Sequence, residues 1–372
     1  MRTDTFATDA ILSRGQAVSS ITAPRSGHRA ATAFEQYVGG RRAIVEGAVF
    51  FLESGEHLET VLLQAGPGDV VFAPAGSARP RDPRVVGYRG EFRRPGDDMT
   101  LDGGRSIRVQ EYVAAPFISI DGPTVFRQGR AEGVAAFLSD ADMARDSGVF
   151  VDQLTSSVVL LDSSASFLGV DPARDPLARV HVTRSGEYRD GPDGLLLGIV
   201  GEERADLEAR ALEDARRGRA FARIVDRGVL EADLDDRPWL GRYIAALGLL
   251  RSGHGAPNRP AVSGFGGHLV RVLDDLPALA GVVSAETPYL LTADGEEYLL
   301  VDAAGRRRLR LGIDAARAAE CLAVTADESA ASALLAAELG GRAGGVAPRV
   351  HEVRARAAAA GLHLTASPGD GA

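Results

Sequence analysis

Short apolar runs separated by Gly, Pro and Asp fill the first half of the chain. Ala43–Leu52, Val61–Gln64, Asp69–Ala73, Ile107–Val113, Phe117–Ile120 and Ser157–Leu161 have strand length. Pro-Gly, Asp-Gly and Gly-Gly signals punctuate them, and one helix is predicted near Ala131–Arg145. This predicts a β-rich domain over residues 1–175, ending in the connector Asp171-Pro172-Ala173-Arg174-Asp175-Pro176.

A mixed α/β segment follows over 176–284. Strands at Val180–Thr183 and Leu195–Val200 flank the turn Asp190-Gly191-Pro192-Asp193-Gly194. Ala205–Arg217 reads as a helix with Asp206/Arg210 and Glu213/Arg217 acid-first at i,i+4. Pro238 is expected at the first position of another helix, in which Trp239, Tyr243, Ala246, Leu247 and Leu250 recur at helical spacing. A Gly-, Pro- and Asn-rich loop then spans Ser252–Gly267.

The last segment, 285–368, has the clearest pattern. Pro288–Thr292 and Glu297–Val301 are joined by Asp294-Gly295, a hairpin turn signal. Ala303-Ala304-Gly305 leads into Arg307–Leu311, and helices follow at Asp314–Val324, Glu328–Leu339 and Pro348–Ala360. Thr325 with Glu328 suggests a capping box, Gly340 a C-cap, Pro348 a first helical position and Gly361 a stop. The order β-β-β-α-α-α outlines a small winged helix-turn-helix unit. The fold class expected for the whole chain is α+β.

Composition narrows the function. A chain of 372 residues, 45% apolar and 25% charged, suits two or three globular domains. All 42 basic residues are arginine. That excludes a Walker A lysine, a kinase strand lysine and a Schiff base. The net charge of −9 argues against broad affinity for nucleic acid or an anionic membrane. Cys321 is the only cysteine, so there is no internal disulfide, cysteine zinc cage or cysteine-held iron–sulfur cluster. No apolar run reaches membrane-spanning length, and Met1–Arg14 lacks the features of a signal peptide. A cytoplasmic protein is expected.

No motif for chemistry is complete. Gly68-Asp69-Val70-Val71-Phe72-Ala73-Pro74-Ala75-Gly76 matches half of a cupin motif, but Arg79 stands where a histidine ligand would fall and only His57 lies upstream. Gly264-Phe265-Gly266-Gly267 is not a phosphate loop and reads as a flexible or partner-contacting loop with Asn258, Arg259 and His268. The seven histidines show no metal-ligand spacing, and Ser163-Ser164-Ala165-Ser166 lacks a nucleophile elbow. Cys321 reads as a small core residue. No metal or cofactor is expected.

A winged helix often reads DNA, but Asp294, Glu296, Glu297 and Asp302 crowd the hairpin turns, and the third helix ends in apolar Ala357–Ala360. The unit instead resembles the PqqD-like RiPP recognition element, on the strand Arg308-Leu309-Arg310-Leu311, the helix Ala315–Leu322, the opening Asp327-Glu328 and the close Ala360-Gly361-Leu362. The resemblance implies capture of a leader peptide as an added strand beside the third strand and against the third helix. The expected peptide-binding residues are Arg307, Arg308, Leu309, Arg310, Leu311, Val350, Val353 and Arg354. At full length the chain resembles the recognition proteins of daptide biosynthesis, through Asp190–Gly198, Arg237-Pro238-Trp239-Leu240-Gly241-Arg242-Tyr243 and the C-terminal unit. That resemblance implies a non-catalytic adaptor that presents the precursor to a partner oxidative decarboxylase acting on a C-terminal threonine. Arg237, Trp239, Arg242 and Tyr243 are the residue types that dominate protein interfaces and are expected to dock that partner, unless Trp239 and Tyr243 are core. The rival readings are a winged-helix transcriptional regulator and an enzyme with a degenerate cupin-like domain.

Overall fold

A computed structural model describes residues 26–42, 45–77, 82–168, 177–252, 260–276, 283–293, 297–325 and 327–364. The fold is mixed α/β, built on two sheets. The larger has ten strands: β1 (Val49–Leu52), β2 (Val70–Pro74), β3 (Val85–Gly90), β4 (Asp98–Leu101), β5 (Ser106–Glu111), β6 (Thr124–Arg127), β7 (Val159–Leu161), β8 (Arg179–Val182), β9 (Glu187–Arg189) and β10 (Leu196–Ile199). Their spatial order is β10-β9-β8-β1-β2-β3-β4-β5-β6-β7. β8, β1, β2 and β3 are mutually parallel, as are β5, β6 and β7, while β4 and β9 run against their neighbours.

Among the described residues, six helices accompany this sheet: α1 (Ser26–Gly39), α2 (Leu58–Gln64), α3 (Ala131–Ser147), α4 (Arg204–Glu213), α5 (Arg227–Asp235) and α6 (Leu240–Ser252). Parallel strands covered on both faces read as unbroken apolar runs, and every residue of Val49-Phe50-Phe51-Leu52 is buried. Val49 and Phe51 join Phe34 and Tyr37 of α1, whereas Phe50 and Leu52 join the apolar sides of α2 and α4. α3 and α6 cover the same face near β6 and β7. The sheet curls about α1, which meets β8 and β1 on one side and β7 on the other. Of the described side chains of α1, only Glu35 is exposed.

The smaller sheet is antiparallel, with β11 (Ala261–Val262), β12 (Tyr289–Ala293), β13 (Glu297–Val301) and β14 (Arg308–Leu311) in that order. Helices α7 (Ile313–Val324), α8 (Glu328–Leu339) and α9 (Ala343–Ala359) follow. Alternation divides its strands. Leu290, Leu300 and Leu311 enter the core formed with α7–α9, while Tyr289, Leu291 and Val301 pack on the α6 side.

Several expectations change. The segments 1–175 and 176–284 share one sheet, because β8 pairs with β1, and the connector 171–176 lies outside the described residues. Val61–Gln64 belongs to α2, since Leu58, Val61 and Leu62 recur at helical spacing against the sheet. Phe117–Ile120 forms no strand, and Phe117 is 85% exposed at the end of a 3₁₀ turn. The cupin-like stretch is a parallel central strand rather than part of an antiparallel barrel. Asp69 there accepts from the Ala48 N–H at 2.7 Å and pairs with Arg204, so it fastens a turn. The pairs drawn on α4 are replaced by Arg210–Glu202 and Arg217–Asp235. Pro238 lies in a turn ahead of α6, and Pro348 lies inside α9. Asp327 rather than Thr325 caps α8, accepting from the Ala330 N–H at 2.8 Å. Gly340 does take the left-handed C-cap conformation. Asp294-Gly295, Arg79, Asn258 and Arg259 lie outside the described residues.

Candidate functional site

β14 is the last strand of its sheet, with no neighbour on its outer side among the described residues. The Asp302 N–H donates to the Arg307 carbonyl at 3.1 Å, across the loop closed by Gly305. Hydrogen-bonded pairs alternate along an antiparallel ladder. With Leu300 opposite Leu309 and Tyr298 opposite Leu311, the main-chain groups of Arg308 and Arg310 therefore face the free side. The side chains of Leu309 and Leu311 pack toward the helices. Arg308 and Arg310 are exposed, and Arg310 meets Glu297 at 2.7 Å.

Two contacts tie α9 to the segments that flank β14, Arg307 just before the strand and Asp314 at the start of α7. Arg307 Nη1 donates to the Gly361 carbonyl at 2.8 Å, and Arg349 meets Asp314 at 3.2 Å. Val350 and Val353 are buried in the helix–sheet core, so they brace α9 rather than floor an open groove. Arg354 is paired with Glu328 of α8, which also meets His351.

The residues expected to dock a partner are taken up inside the fold. Tyr243 is fully buried, stacked on Phe150 with centroids 5.8 Å apart. Arg242 is buried, donates to the Ser284 and Thr287 carbonyls at 2.9 and 3.1 Å and lies 4.0 Å over the Tyr289 ring. Arg237 grips Asp142 of α3 through two bonds of 2.8 and 2.7 Å. Trp239 is half-buried under the Arg145 guanidinium. This cluster joins α3, α6 and the smaller sheet. Likewise Gly266 presses against the end of α3, where an added Cβ would come within 2.6 Å of the Gly148 nitrogen, and Phe265 is core. His268 is held by Asp274 at 2.7 Å, and Cys321 is a buried core residue.

A second feature was not anticipated. A cleft of about 310 Å³ opens at the carboxyl ends of β8, β1, β2 and β3. At its floor Tyr37 Oη lies 2.7 Å from His181 Nδ1, and His181 Nε2 lies 3.1 Å from Glu53 Oε1. Glu53 Oε2 accepts from the Arg184 N–H at 3.0 Å, and Arg93 approaches at 3.4 Å. Burial lowers the His181 pKa and keeps the ring neutral, with Nε2–H donating to Glu53 and Nδ1 accepting from Tyr37. Burial would raise Glu53, but the His181 hydrogen bond, the Arg184 N–H and Arg93 outweigh it and hold the carboxyl at about 2. Both pKa values are depressed, so both groups stabilise the fold at neutral pH and lose that contribution as pH falls, His181 first, below its unfolded value of about 6.5. Urea midpoints are expected to drop between pH 7 and 5, and His181→Gln is expected to flatten that drop. A flat wild-type profile contradicts the assignment.

Behind the cleft runs a buried ionic chain. Arg127 meets Asp162 at 2.6 Å, and Asp162 meets Arg179 at 3.4 Å. Arg179 and Arg219 share Asp190 at 2.9 and 2.6 Å. Ser163, the one described non-glycine residue with positive φ (57°), accepts from Arg179 at 2.9 Å. The string Asp190–Gly198 thus has a structural reason: at φ 80°, a Cβ on Gly191 would stand 2.8 Å from Arg179 Nη2, and one on Gly194 1.8 Å from the Asp190 carbonyl.

No protein-family model, curated protein or solved structure matches the chain. Among the described residues, no group of three or more His, Cys, Asp or Glu is placed to hold a metal ion, and no helix is long and apolar enough to cross a membrane.

Proposed function

We propose that the chain is a non-catalytic adaptor whose C-terminal winged-helix unit captures the leader of a ribosomal natural-product precursor and presents it to a partner oxidative decarboxylase. The observation that carries this reading is the free edge of β14, where Arg308 and Arg310 turn their main-chain groups outward. An extended peptide added there gains ladder hydrogen bonds, and side-chain pockets supply selectivity. The guest would lie along the outer side of β14 toward α9, which Arg307 holds through the Gly361 carbonyl and Arg349 holds to Asp314 of α7. Exposed Arg308 and Arg310 suit an acidic guest and affect its on-rate and register more than its affinity. Tyr243 and Arg242 are buried, so the surface that docks the partner enzyme would be formed by other residues.

The test is titration of the full chain with a labelled leader peptide from a precursor encoded beside its gene. Proline at position 310 lacks the outward N–H but removes no main-chain bond to β13, only the exposed ion pair with Glu297. Arg310→Pro is therefore expected to weaken binding about tenfold with little change in melting temperature, while Arg310→Ala stays near wild type. Equal affinity for Arg310→Pro and wild type, or no binding by the folded wild-type chain, overturns the reading.

A further inference from the structure

β1 is the point at which the strand order of the large sheet reverses. On one side the chain continues through β2 and β3, and on the other it returns as β8, β9 and β10. In open sheets with parallel strands, the crevice outside the carboxyl ends at such a reversal is where ligands bind. The cleft above Glu53 and His181 occupies that place.

Its lining indicates what kind of ligand it takes. Arg93, Arg94 and Arg184 stand at the wall and rim with Glu53 and Glu91. Glu53 is already engaged by His181, the Arg184 N–H and Arg93. Arg184 and Glu91 approach only to 3.6 Å, both largely exposed, and such a pair contributes little. The Arg94 guanidinium makes no hydrogen bond or ion pair among the described residues. Arg127 lies directly behind the wall, with Nη1 donating to the Phe92 and Arg93 carbonyls at 3.1 and 2.7 Å and its guanidinium 4.6 Å over the Phe92 ring. Its Nη2 is buried and has no partner among the described residues. Both nitrogens of His181 are occupied, so the floor offers no free base and the arrangement is one for binding.

We propose that this cleft binds a small polar molecule through a carboxylate or phosphate group held by Arg93, Arg94 and Arg184. Planar guanidiniums match both oxyanions through paired N–H donors. The size of the cleft is that of a metabolite or a single terminal residue rather than a polymer. Glu91, exposed at the rim, is placed to accept from a hydroxyl or amine on the same molecule. The Tyr37–His181–Glu53 chain fixes the floor, and Glu53 in turn fixes the main chain of Arg184. The site is separate from β14 and does not depend on peptide capture there.

Isothermal titration of the full chain at low salt tests this with three probes: inorganic phosphate, N-acetylglycine and N-acetylglycinamide. Saturable one-to-one binding of phosphate or of N-acetylglycine is expected, and which binds more tightly identifies the anion. The neutral amide is expected to bind at least about tenfold more weakly than N-acetylglycine where the carboxylate is the anion. Arg94→Gln with Arg184→Gln is expected to weaken the preferred anion about tenfold at unchanged melting temperature, because both side chains are exposed. If the double variant melts lower, Arg94→Gln alone gives the same reading, since no bond of that side chain is lost. The proposal falls if no probe binds up to about 10 mM, if amide and carboxylate bind alike in the absence of phosphate binding, or if the variants retain wild-type affinity.

Discussion

Replacing Asp190 with alanine is expected to destabilise the folded chain by about 3–5 kcal/mol, the range for removing one partner from a buried ion pair. Arg179 and Arg219 both bond this carboxylate, and both are almost wholly buried. Burial raises the carboxyl pKa, but the charges of Arg219 and Arg179 outweigh it and keep it below the usual carboxylate range. Without Asp190, Arg179 keeps the Tyr37 and Val38 carbonyls at 3.1 Å and Asp162 at 3.4 Å, and Arg219 keeps, among the described residues, only the Ala211 carbonyl at 3.0 Å. The Arg219 charge is then uncompensated, and α4 loses part of its tie to the sheet. Urea unfolding measures the loss, and a change under about 1 kcal/mol would contradict the structural role.

Tyr243→Ala is expected to cost a similar amount, about 3–5 kcal/mol, by emptying the centre of the largest core cluster. Its ring stacks on Phe150 and lies 5.7 Å from Phe137, so its loss loosens α6 from α3 together. A partner-docking residue would behave differently, leaving the melting temperature unchanged while co-purification with the partner fell. Trp239→Ala, at a half-buried position, is expected to show a smaller loss of the same kind. A Tyr243→Ala protein that melts like wild type contradicts the core assignment.

These two residues show where the sequence was legible. The hairpin of β12 and β13 and the helices α7 and α8 were predicted almost to the residue, because their signals are local. The strand alternation, Gly305, Gly340 and the regular apolar spacing each act within a few positions. α1 is the exception, since its signal is equally local: Ala30, Ala33, Phe34, Tyr37 and Val38 recur at helical spacing, with Arg29, Thr32, Glu35 and Gln36 between them. Val61–Gln64 reads as a strand because a run of three apolar residues, Val61-Leu62-Leu63, fits either period. Glu53, His181, Tyr37 and Arg127 had no sequence signal at all. They come from four separate elements, and the only available hint was that an isolated histidine can meet a carboxylate in space. The Arg237–Tyr243 string stands out by its composition, which is the same whether such residues face a partner or an internal seam.

The pairing of β8 with β1 has a consequence for biosynthesis. Arg179 bonds the main chain of Tyr37 across 142 positions, so the edge of β1 stays open until residues near 180 have left the ribosome. Contacts of such separation slow folding and leave an unpaired apolar strand exposed in the meantime. A nascent chain halted near residue 170 would present Val49-Phe50-Phe51-Leu52 as a free edge, with neither β8 nor Arg179 yet made to close it. Premature termination in this region should yield an aggregating fragment rather than a smaller folded module, and expression at lower temperature or with chaperones should benefit the intact chain at this step in particular.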